Sequence, residues 1–262
     1  MPHTQLQLQT VDGSCPTHVY WPNGRGPWPG VIVYMDGIGI RPALMEIAER
    51  IADAGYYVLL PDLFYRVEFD RSLGMRLFTD PAVREDFRAR VAPSASNANI
   101  MRDTEAFLAH LDAQSDARAD RIGITGYCMG GRLAVYATGH FGERVAAAAA
   151  YHPGGLATDA PDSPHRLAPR MKGRVYVAGA IKDPNFDDAQ KARLEQALTD
   201  AHVDHTIETY DALHGFVPRD TPVHDEAAAA RHWETLLELF EECLSERTQD
   251  PGHTTEDRGP RT

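Results

Sequence analysis

The chain has 262 residues, of which 43% are hydrophobic and 24% charged, a composition typical of a globular enzyme and not of a disordered protein. Its formal net charge of −12 argues against a nucleic-acid partner, because neutralising phosphates requires a basic surface. No stretch approaches the roughly 18 consecutive apolar residues of a membrane span, so we also expect no membrane partner.

The three cysteines, Cys15, Cys128 and Cys243, are an odd number without metal-ligand spacing. They argue against a disulfide framework or a zinc cluster and favour a reducing cytoplasm. The polar N-terminal sequence contains no apolar segment of signal-peptide length. We therefore expect a cytoplasmic protein, a monomer or small homo-oligomer, with no metal and no cofactor.

In chain order, short apolar or alternating segments predict strands, and apolar residues at helical spacing predict helices. The predicted strands are residues 4–9, 17–21, 31–35, 56–60, 121–125, 145–151, 174–180 and 206–210. The predicted helices have apolar faces within residues 44–51, 100–111, 133–140, 194–201 and 233–240. Strands that alternate with helices indicate an α/β fold, with a mostly parallel central sheet and helices on both faces.

Two segments depart from this alternation. Residues 63–93 include five arginines from Arg66 to Arg88 and no clean period, which predicts a lid or substrate-binding insert with one helix near 81–91. From about residue 245 the chain becomes polar and contains Pro and Gly, so 245–262 is predicted to be a disordered tail. We predict that residues 1–244 form a single domain.

The strongest chemical signal is the sequence Gly-Tyr-Cys-Met-Gly-Gly at 126–131, between a predicted strand and a predicted helix. It matches the nucleophile elbow G-x-S-x-G with cysteine in place of serine. Glycines suit a tight, strained turn, and the N-terminus of the helix favours a thiolate. We predict Cys128 as a nucleophile; the alternative is a buried cysteine in a glycine-rich turn.

Two further residues follow strands in the order expected of an α/β-hydrolase, nucleophile then acid then histidine. Asp183 comes after strand 174–180, and His214 comes after strand 206–210. An imidazole can take the thiol proton and later protonate the leaving group, while a carboxylate fixes its tautomer. The alternatives are a turn aspartate before Pro184 and one loop histidine among twelve.

A third strand end supplies candidate oxyanion and pocket residues. The sequence Asp36-Gly37-Ile38-Gly39 follows strand 31–35, so we predict an oxyanion hole from the N–H groups of Gly37 and Met129. Asp36 is either a substrate-contacting carboxylate or a plain loop residue. His152 follows strand 145–151 and is expected to line the pocket.

These features resemble the dienelactone hydrolase (carboxymethylenebutenolidase) family of the α/β-hydrolase superfamily. The resemblance covers roughly residues 6–240 and rests on the cysteine elbow, on Pro-Asp-Leu-Phe-Tyr at 61–65 and on His-Gly-Phe at 214–216. It implies the α/β-hydrolase fold and a triad of Cys128, Asp183 and His214. It also implies cleavage of a small-molecule ester or lactone through an acyl-enzyme. A family glutamate that contacts the resting thiol corresponds to Asp36, which is one methylene shorter.

The resemblance leaves the substrate open. The family binds a substrate carboxylate with two arginines, one of them shortly after the catalytic histidine. Here Pro218 occupies that place and Arg219 is shifted by one residue, so we name Arg219 as a candidate substrate-binding residue. The alternatives are a carboxylesterase or thioesterase for small neutral substrates, and a non-catalytic, thiol-sensing scaffold of the same fold.

Overall fold

The computed structural model describes residues 1–68 and 70–245. Within these residues, eight strands form one sheet. The strands are β1 (His3–Thr10), β2 (Gly13–Tyr20), β3 (Trp28–Tyr34), β4 (Tyr57–Pro61), β5 (Ala117–Tyr127), β6 (Val145–Tyr151), β7 (Arg174–Ala180) and β8 (His205–Tyr210).

The strands lie in the order β1-β2-β4-β3-β5-β6-β7-β8. Strands β1 and β2 pair with each other antiparallel, as do β2 and β4, and every other neighbouring pair is parallel. The central strands β4 and β6 are buried along their whole length, which explains their continuous apolar sequences. The structure thus confirms the predicted mostly parallel sheet.

In the described part of the chain, six α-helices connect and cover the strands. They are α1 (Pro42–Asp53), α2 (Pro81–Asp86), α3 (Asn97–Asp112), α4 (Met129–Phe141), α5 (Asp188–Asp200) and α6 (Glu226–Leu244). Consecutive side chains of a strand point to opposite faces. A Cβ at Gly123 of β5 would lie 2.8 Å from Phe240 and Leu244 of α6, whereas Gly30 of the adjacent strand faces Leu111 of α3. Helices therefore cover both faces, as predicted.

The predicted insert contains several short helical turns. A 3-10 segment spans Arg71–Phe78, α2 follows, and a π-helical turn (Phe87–Val91) and a second 3-10 turn (Ala92–Ala95) complete it. Asp80 caps α2 by accepting hydrogen bonds from the N–H groups of Ala82 and Val83. The structure thus divides the one helix predicted near 81–91 into an α-helical and a π-helical part.

The parallel strands β3, β5, β6, β7 and β8 all end at the same edge of the sheet. The loops after them carry the residues that the sequence singled out, which is the expected place for a site in an α/β sheet. None of the helices within the described residues is long and apolar enough to cross a membrane. Except for Ser245, the predicted disordered tail lies outside the described residues.

Candidate active site

Cys128 lies in the turn between β5 and α4, with a left-handed φ of 54°. The turn requires glycine on both sides. A Cβ at Gly126 would lie 2.1 Å from the carbonyl oxygen of Gly130, and a Cβ at Gly130 would lie 2.2 Å from that of Tyr34. The Cys128 N–H donates to the Tyr151 carbonyl at 3.1 Å. This strained geometry holds the thiol at the N-terminus of α4, where a negative charge is stabilised.

Asp183 and His214 meet although 31 residues separate them in the chain. The Nδ1 atom of His214 lies 2.6 Å from Oδ2 of Asp183. The other carboxylate oxygen of Asp183 accepts two hydrogen bonds at 2.9 Å, from the backbone N–H and the side-chain amide of Asn185. These bonds fix the carboxylate, and through it the orientation of the imidazole.

The charges of the site favour a protonated imidazole. Burial opposes that charge, but the hydrogen bond to Asp183 and the interaction with Cys128 outweigh it and raise the pKa of His214 to about 10. Burial works against the Asp183 carboxylate as well, yet its bonds to His214 and Asn185 hold the pKa of Asp183 below its ordinary value. The surroundings of these two residues therefore favour an imidazolium beside a carboxylate.

A cavity of about 440 Å³ opens beside these groups. Its lining residues come from the strand-end loops, the elbow and the insert: Asp36, Gly37, Ile38, Leu77, Arg84, Phe87, Arg88, Ala92, Cys128, His152, Asn185, His214, Gly215 and Thr221. The insert contributes the apolar wall of Leu77, Phe87 and Ala92 together with two cations, Arg84 and Arg88. The cavity can thus hold a small organic molecule next to the Cys128 thiol.

His152 lies in this lining, where the sequence predicted it. Its side chain is buried, and its ring packs edge-on against His214 and Phe216, with centroids 5.3 and 5.0 Å away. Neither ring nitrogen has a hydrogen-bond partner among the described residues. Burial, assisted by the charge of His214, lowers the pKa of His152 well below its ordinary value, so this histidine is neutral.

Gly37 and Met129 are predicted to form the oxyanion hole, and Asp36 corresponds to a residue near the thiol. The surroundings of the three residues differ. Gly37 lines the cavity, and Met129 is the first residue of α4, directly after Cys128. Asp36 also lines the cavity, but both of its oxygens accept from the guanidinium of Arg41, at 2.8 and 2.9 Å. Burial raises the pKa of the Asp36 carboxyl and Arg41 opposes that rise. The Asp36 carboxylate thus accepts its hydrogen bonds from Arg41 and from the N–H of Ile38.

Arg219 does not lie with Cys128, Asp183 and His214. Its side chain is 69% exposed and pairs with Glu46 on the outer surface. There it lines a separate depression with Trp233 of α6. The reason is local: Pro218 shifts Arg219 by one residue, and the loop carries it toward α1. The cations that line the cavity are instead Arg84 and Arg88.

Sequence reasoning missed Arg41 and Asn185, which donate hydrogen bonds to the carboxylates of Asp36 and Asp183. Arg41 follows Asp36 by five residues in a loop, for which no periodicity predicts a contact. Among the described residues, no group of three or more His, Cys, Asp or Glu side chains is placed to bind a metal ion.

Comparison with known proteins finds relatives in sequence and in structure. The sequence model of the dienelactone hydrolase family matches residues 15–244. Carboxymethylenebutenolidase of Rhodococcus opacus is 26% identical over 253 residues, which cover 93% of this chain and 93% of that protein. A Klebsiella pneumoniae protein assigned as a dienelactone hydrolase superimposes with a TM-score of 0.80 at 22% identity, covering 92% of this chain and 98% of its own.

A second solved structure shows the same architecture. The dienelactone hydrolase of Anabaena variabilis superimposes with a TM-score of 0.66 at 18% identity, and the match covers 93% of this chain and 99% of that protein. At such identities the likeness shows the fold alone. It confirms the predicted α/β-hydrolase fold.

Proposed function

The chain belongs to the dienelactone hydrolase family, whose members are hydrolases of the ester or lactone type, and from this premise we propose that it cleaves a small carboxylic ester or lactone with Cys128 as nucleophile. His214 acts as general base and acid, and Asp183 orients it. The observation that carries the proposal is the contact of 2.6 Å between His214 and Asp183 at the edge where the elbow presents Cys128.

The reaction follows from the positions of these groups. The thiolate of Cys128 attacks the carbonyl carbon and forms a tetrahedral oxyanion, which the N–H groups of Met129 and Gly37 stabilise. The imidazolium of His214 then protonates the departing alkoxide, leaving a thioester on Cys128. His214, now neutral, takes a proton from water as the water oxygen attacks the thioester carbon. The C–S bond then breaks, Cys128 leaves as the thiolate beside the reprotonated His214, and the carboxylic acid is released. With a lactone, the acid and the alcohol stay in one product.

Replacing Cys128 by alanine tests the nucleophile. Loss of a nucleophile typically reduces kcat by several orders of magnitude, so we expect a fall of at least about 10⁴-fold in hydrolysis of a short p-nitrophenyl ester. Cys243→Ala is the matched control, because it removes a partly buried cysteine away from the cavity. Substantial turnover by folded Cys128→Ala protein, verified by circular dichroism, contradicts the proposal; a thiol-sensing scaffold predicts no turnover in the wild type either.

For the substrate, the cations of the insert favour a molecule that carries a carboxylate. Arg88 is exposed for 71% of its side-chain surface and lies 3.8 Å from Glu85, so it can turn toward a ligand in the cavity. We expect Arg88→Ala to raise KM for an anionic ester about 3- to 10-fold, since exposed charge-assisted contacts are modest, and to leave KM for a neutral ester of similar size unchanged.

Arg219→Ala is the matched control for that experiment and should change neither KM. Equal responses of both substrates to Arg88→Ala would instead favour the esterase alternative. That alternative has its own support in the apolar wall formed by Leu77, Phe87 and Ala92.

A further inference from the structure

The guanidinium of Arg41 joins two loops beside the cavity. Arg41 directly precedes α1, and only 11% of its side chain is exposed. An arginine has five N–H donors in a rigid, planar fork. Here two of them bind the Asp36 carboxylate, at 2.8 and 2.9 Å, and two bind the Asp220 carboxylate, at 2.6 and 3.1 Å. The fifth binds the carbonyl oxygen of Gly39 at 3.1 Å, so all five donors are used.

The two carboxylates belong to loops that both border the cavity. Asp36 lies in the loop after β3 and is itself part of the lining. Asp220 lies in the loop after β8, 179 residues along the chain from Arg41, and its neighbour Thr221 lines the cavity together with His214. Among the described residues, Arg41 is not part of that lining. The guanidinium therefore fixes the two loops to each other without entering the space between them.

Hydrogen bonds within the first loop extend this attachment to Gly37. Oδ1 of Asp36 accepts from the N–H of Ile38 at 2.9 Å, and the carbonyl of Asp36 accepts from the N–H of Gly39 at 3.2 Å. Gly37 lies inside both turns, and its N–H is the proposed second donor to the oxyanion. Such a donor is effective when it lies about 2.7–3.1 Å from the place that the oxyanion will occupy. Movement of the Asp36 carboxylate would therefore displace this donor.

Hydrogen bonds within the second loop connect Asp220 to His214. The hydroxyl of Thr221, the next residue after Asp220, donates to the carbonyl oxygen of Gly215 at 2.8 Å. Gly215 directly follows His214 and has a left-handed φ of 104°, which glycine adopts without strain. The position of Asp220 is thus linked, through one side chain, to the backbone beside the imidazole.

A purely stabilising role for Arg41 is the alternative. A buried ion pair is weak evidence of stability, because the loss of water around the charges offsets their attraction. The side chain of Asp220 is 35% exposed, so its pairing with Arg41 adds little to the free energy of unfolding. A bidentate contact between a guanidinium and a carboxylate is, however, precise in its geometry. What the contact with Asp220 contributes is therefore the placement of one loop relative to the other.

We propose that Arg41 is a positioning residue, which holds the loop of Gly37 in a fixed place relative to the loop of His214. This inference rests on the proposed function, because it assumes that Gly37 donates to the oxyanion and that His214 transfers the protons. Arg41 touches no reacting atom in this scheme. It keeps the N–H that stabilises the oxyanion and the imidazolium that protonates the alkoxide at the separation that one substrate requires.

Removal of the Asp220 carboxylate tests the bridge while the more deeply buried Asp36 stays in place. In Asp220→Ala, Arg41 loses two of its five hydrogen bonds. Because small displacements of catalytic groups cost up to about 100-fold in rate, we expect kcat for a short, neutral p-nitrophenyl ester to fall about 10- to 100-fold, with KM within about threefold of the wild type. Asp220→Glu restores a carboxylate and should recover most of kcat. Asp211→Ala is the matched control, because it removes an exposed carboxylate from the start of the same loop.

Arg41→Lys is a second variant that breaks the bridge from the other side. It keeps a positive charge between the two carboxylates but replaces the planar fork by a single ammonium group. We expect a similar fall in kcat. Combining Arg41→Lys with Asp220→Ala should add little further loss, because both changes break the same bridge. Fully additive losses would contradict a shared bridge.

Two reagents separate the oxyanion donors from the nucleophile. A trifluoromethyl ketone adds the Cys128 sulfur at its carbonyl carbon, and the π electrons of the carbonyl move to the oxygen, which becomes the oxyanion of a reversible hemithioketal. The affinity for this ketone should fall in Asp220→Ala by about the same factor as kcat/KM. Alkylation of Cys128 by iodoacetamide forms no oxyanion, so its rate should stay within about threefold of the wild type.

The outcomes distinguish this inference from the proposed function. A wild-type kcat in Asp220→Ala, with only Tm lowered, would show that the bridge is structural and would overturn the inference. An equal loss of kcat in Asp211→Ala, or an unchanged affinity for the ketone in Asp220→Ala, would overturn it as well. Each of these results leaves the proposed function standing. Activity of Cys128→Ala would instead overturn the proposed function.

Discussion

Asp183→Asn removes one negative charge from the site while keeping the size of the side chain. In the wild type the carboxylate accepts the hydrogen bond from His214 Nδ1, at 2.6 Å, and two more from Asn185. An asparagine at this place is neutral, so it no longer stabilises the imidazolium, and its amide can force the wrong tautomer on the histidine.

The size of the effect follows from the pKa of His214. The rise from 6.5 to about 10 corresponds to about 5 kcal/mol in favour of the protonated ring, at 1.36 kcal/mol per pH unit. Asp183 is the largest favourable contributor, followed by Cys128. If Asp183 supplies about half, the pKa of His214 falls by about two units in Asp183→Asn. Loss of orientation adds to this, and kcat/KM should fall by roughly 10³- to 10⁴-fold.

The pH profile of kcat/KM separates these two effects. Because His214 must be protonated to release the alkoxide, wild-type activity should persist until the pH approaches about 10 and decline above it. In Asp183→Asn the alkaline decline should begin about two pH units lower. Initial rates of ester hydrolysis, corrected for the reaction without enzyme, provide the profile.

The matched control is Asp187→Asn, which changes an aspartate of the same loop that caps α5 and binds the N–H of Gln190. An unchanged alkaline limb in Asp183→Asn, or an equal loss in Asp187→Asn, would refute the assignment of Asp183.

Three further experiments test the reactivity of Cys128 and the residues that hold the site in place. Iodoacetamide should label Cys128 at least about 100-fold faster than Cys15, because burial raises the pKa of Cys15 to about 12; equal rates would count against an activated thiolate. Asp36→Ala leaves the Arg41 guanidinium without its buried partner and should lower the free energy of unfolding in urea by about 3–5 kcal/mol. A loss below about 1 kcal/mol would show that the ion pair of Asp36 with Arg41 contributes little to stability. Gly126→Ala puts a Cβ 2.1 Å from a backbone oxygen of the elbow, so both stability and esterase activity should drop, and a wild-type Tm would contradict the turn geometry.

Much of the fold could be predicted because buried strands and helices carry apolar residues at regular positions in the sequence. Strands covered on both faces need apolar side chains at every position, and β4 and β6 show that pattern directly. The predicted ends differ from the observed ones by a few residues: β5 begins at Ala117, four residues before the apolar segment that predicted it. Such ends depend on hydrogen bonds to neighbouring strands, which the sequence of one strand does not record.

Sequence by itself determined the alternation of strands and helices, the turn around Cys128 and the positions of Asp183 and His214 after strands, because each depends on local sterics or on short-range periodicity. Tertiary structure alone decided which charges meet. Loop conformation carries Arg219 to Glu46 on the surface, and the packing of α3 against α4 leaves Arg132 facing Asn97. Such contacts join residues distant in the chain, and the direction of a side chain at the end of a loop has no periodic signature. The set of charged groups around the Cys128 thiol is therefore defined only by the folded structure and could not be predicted from the sequence.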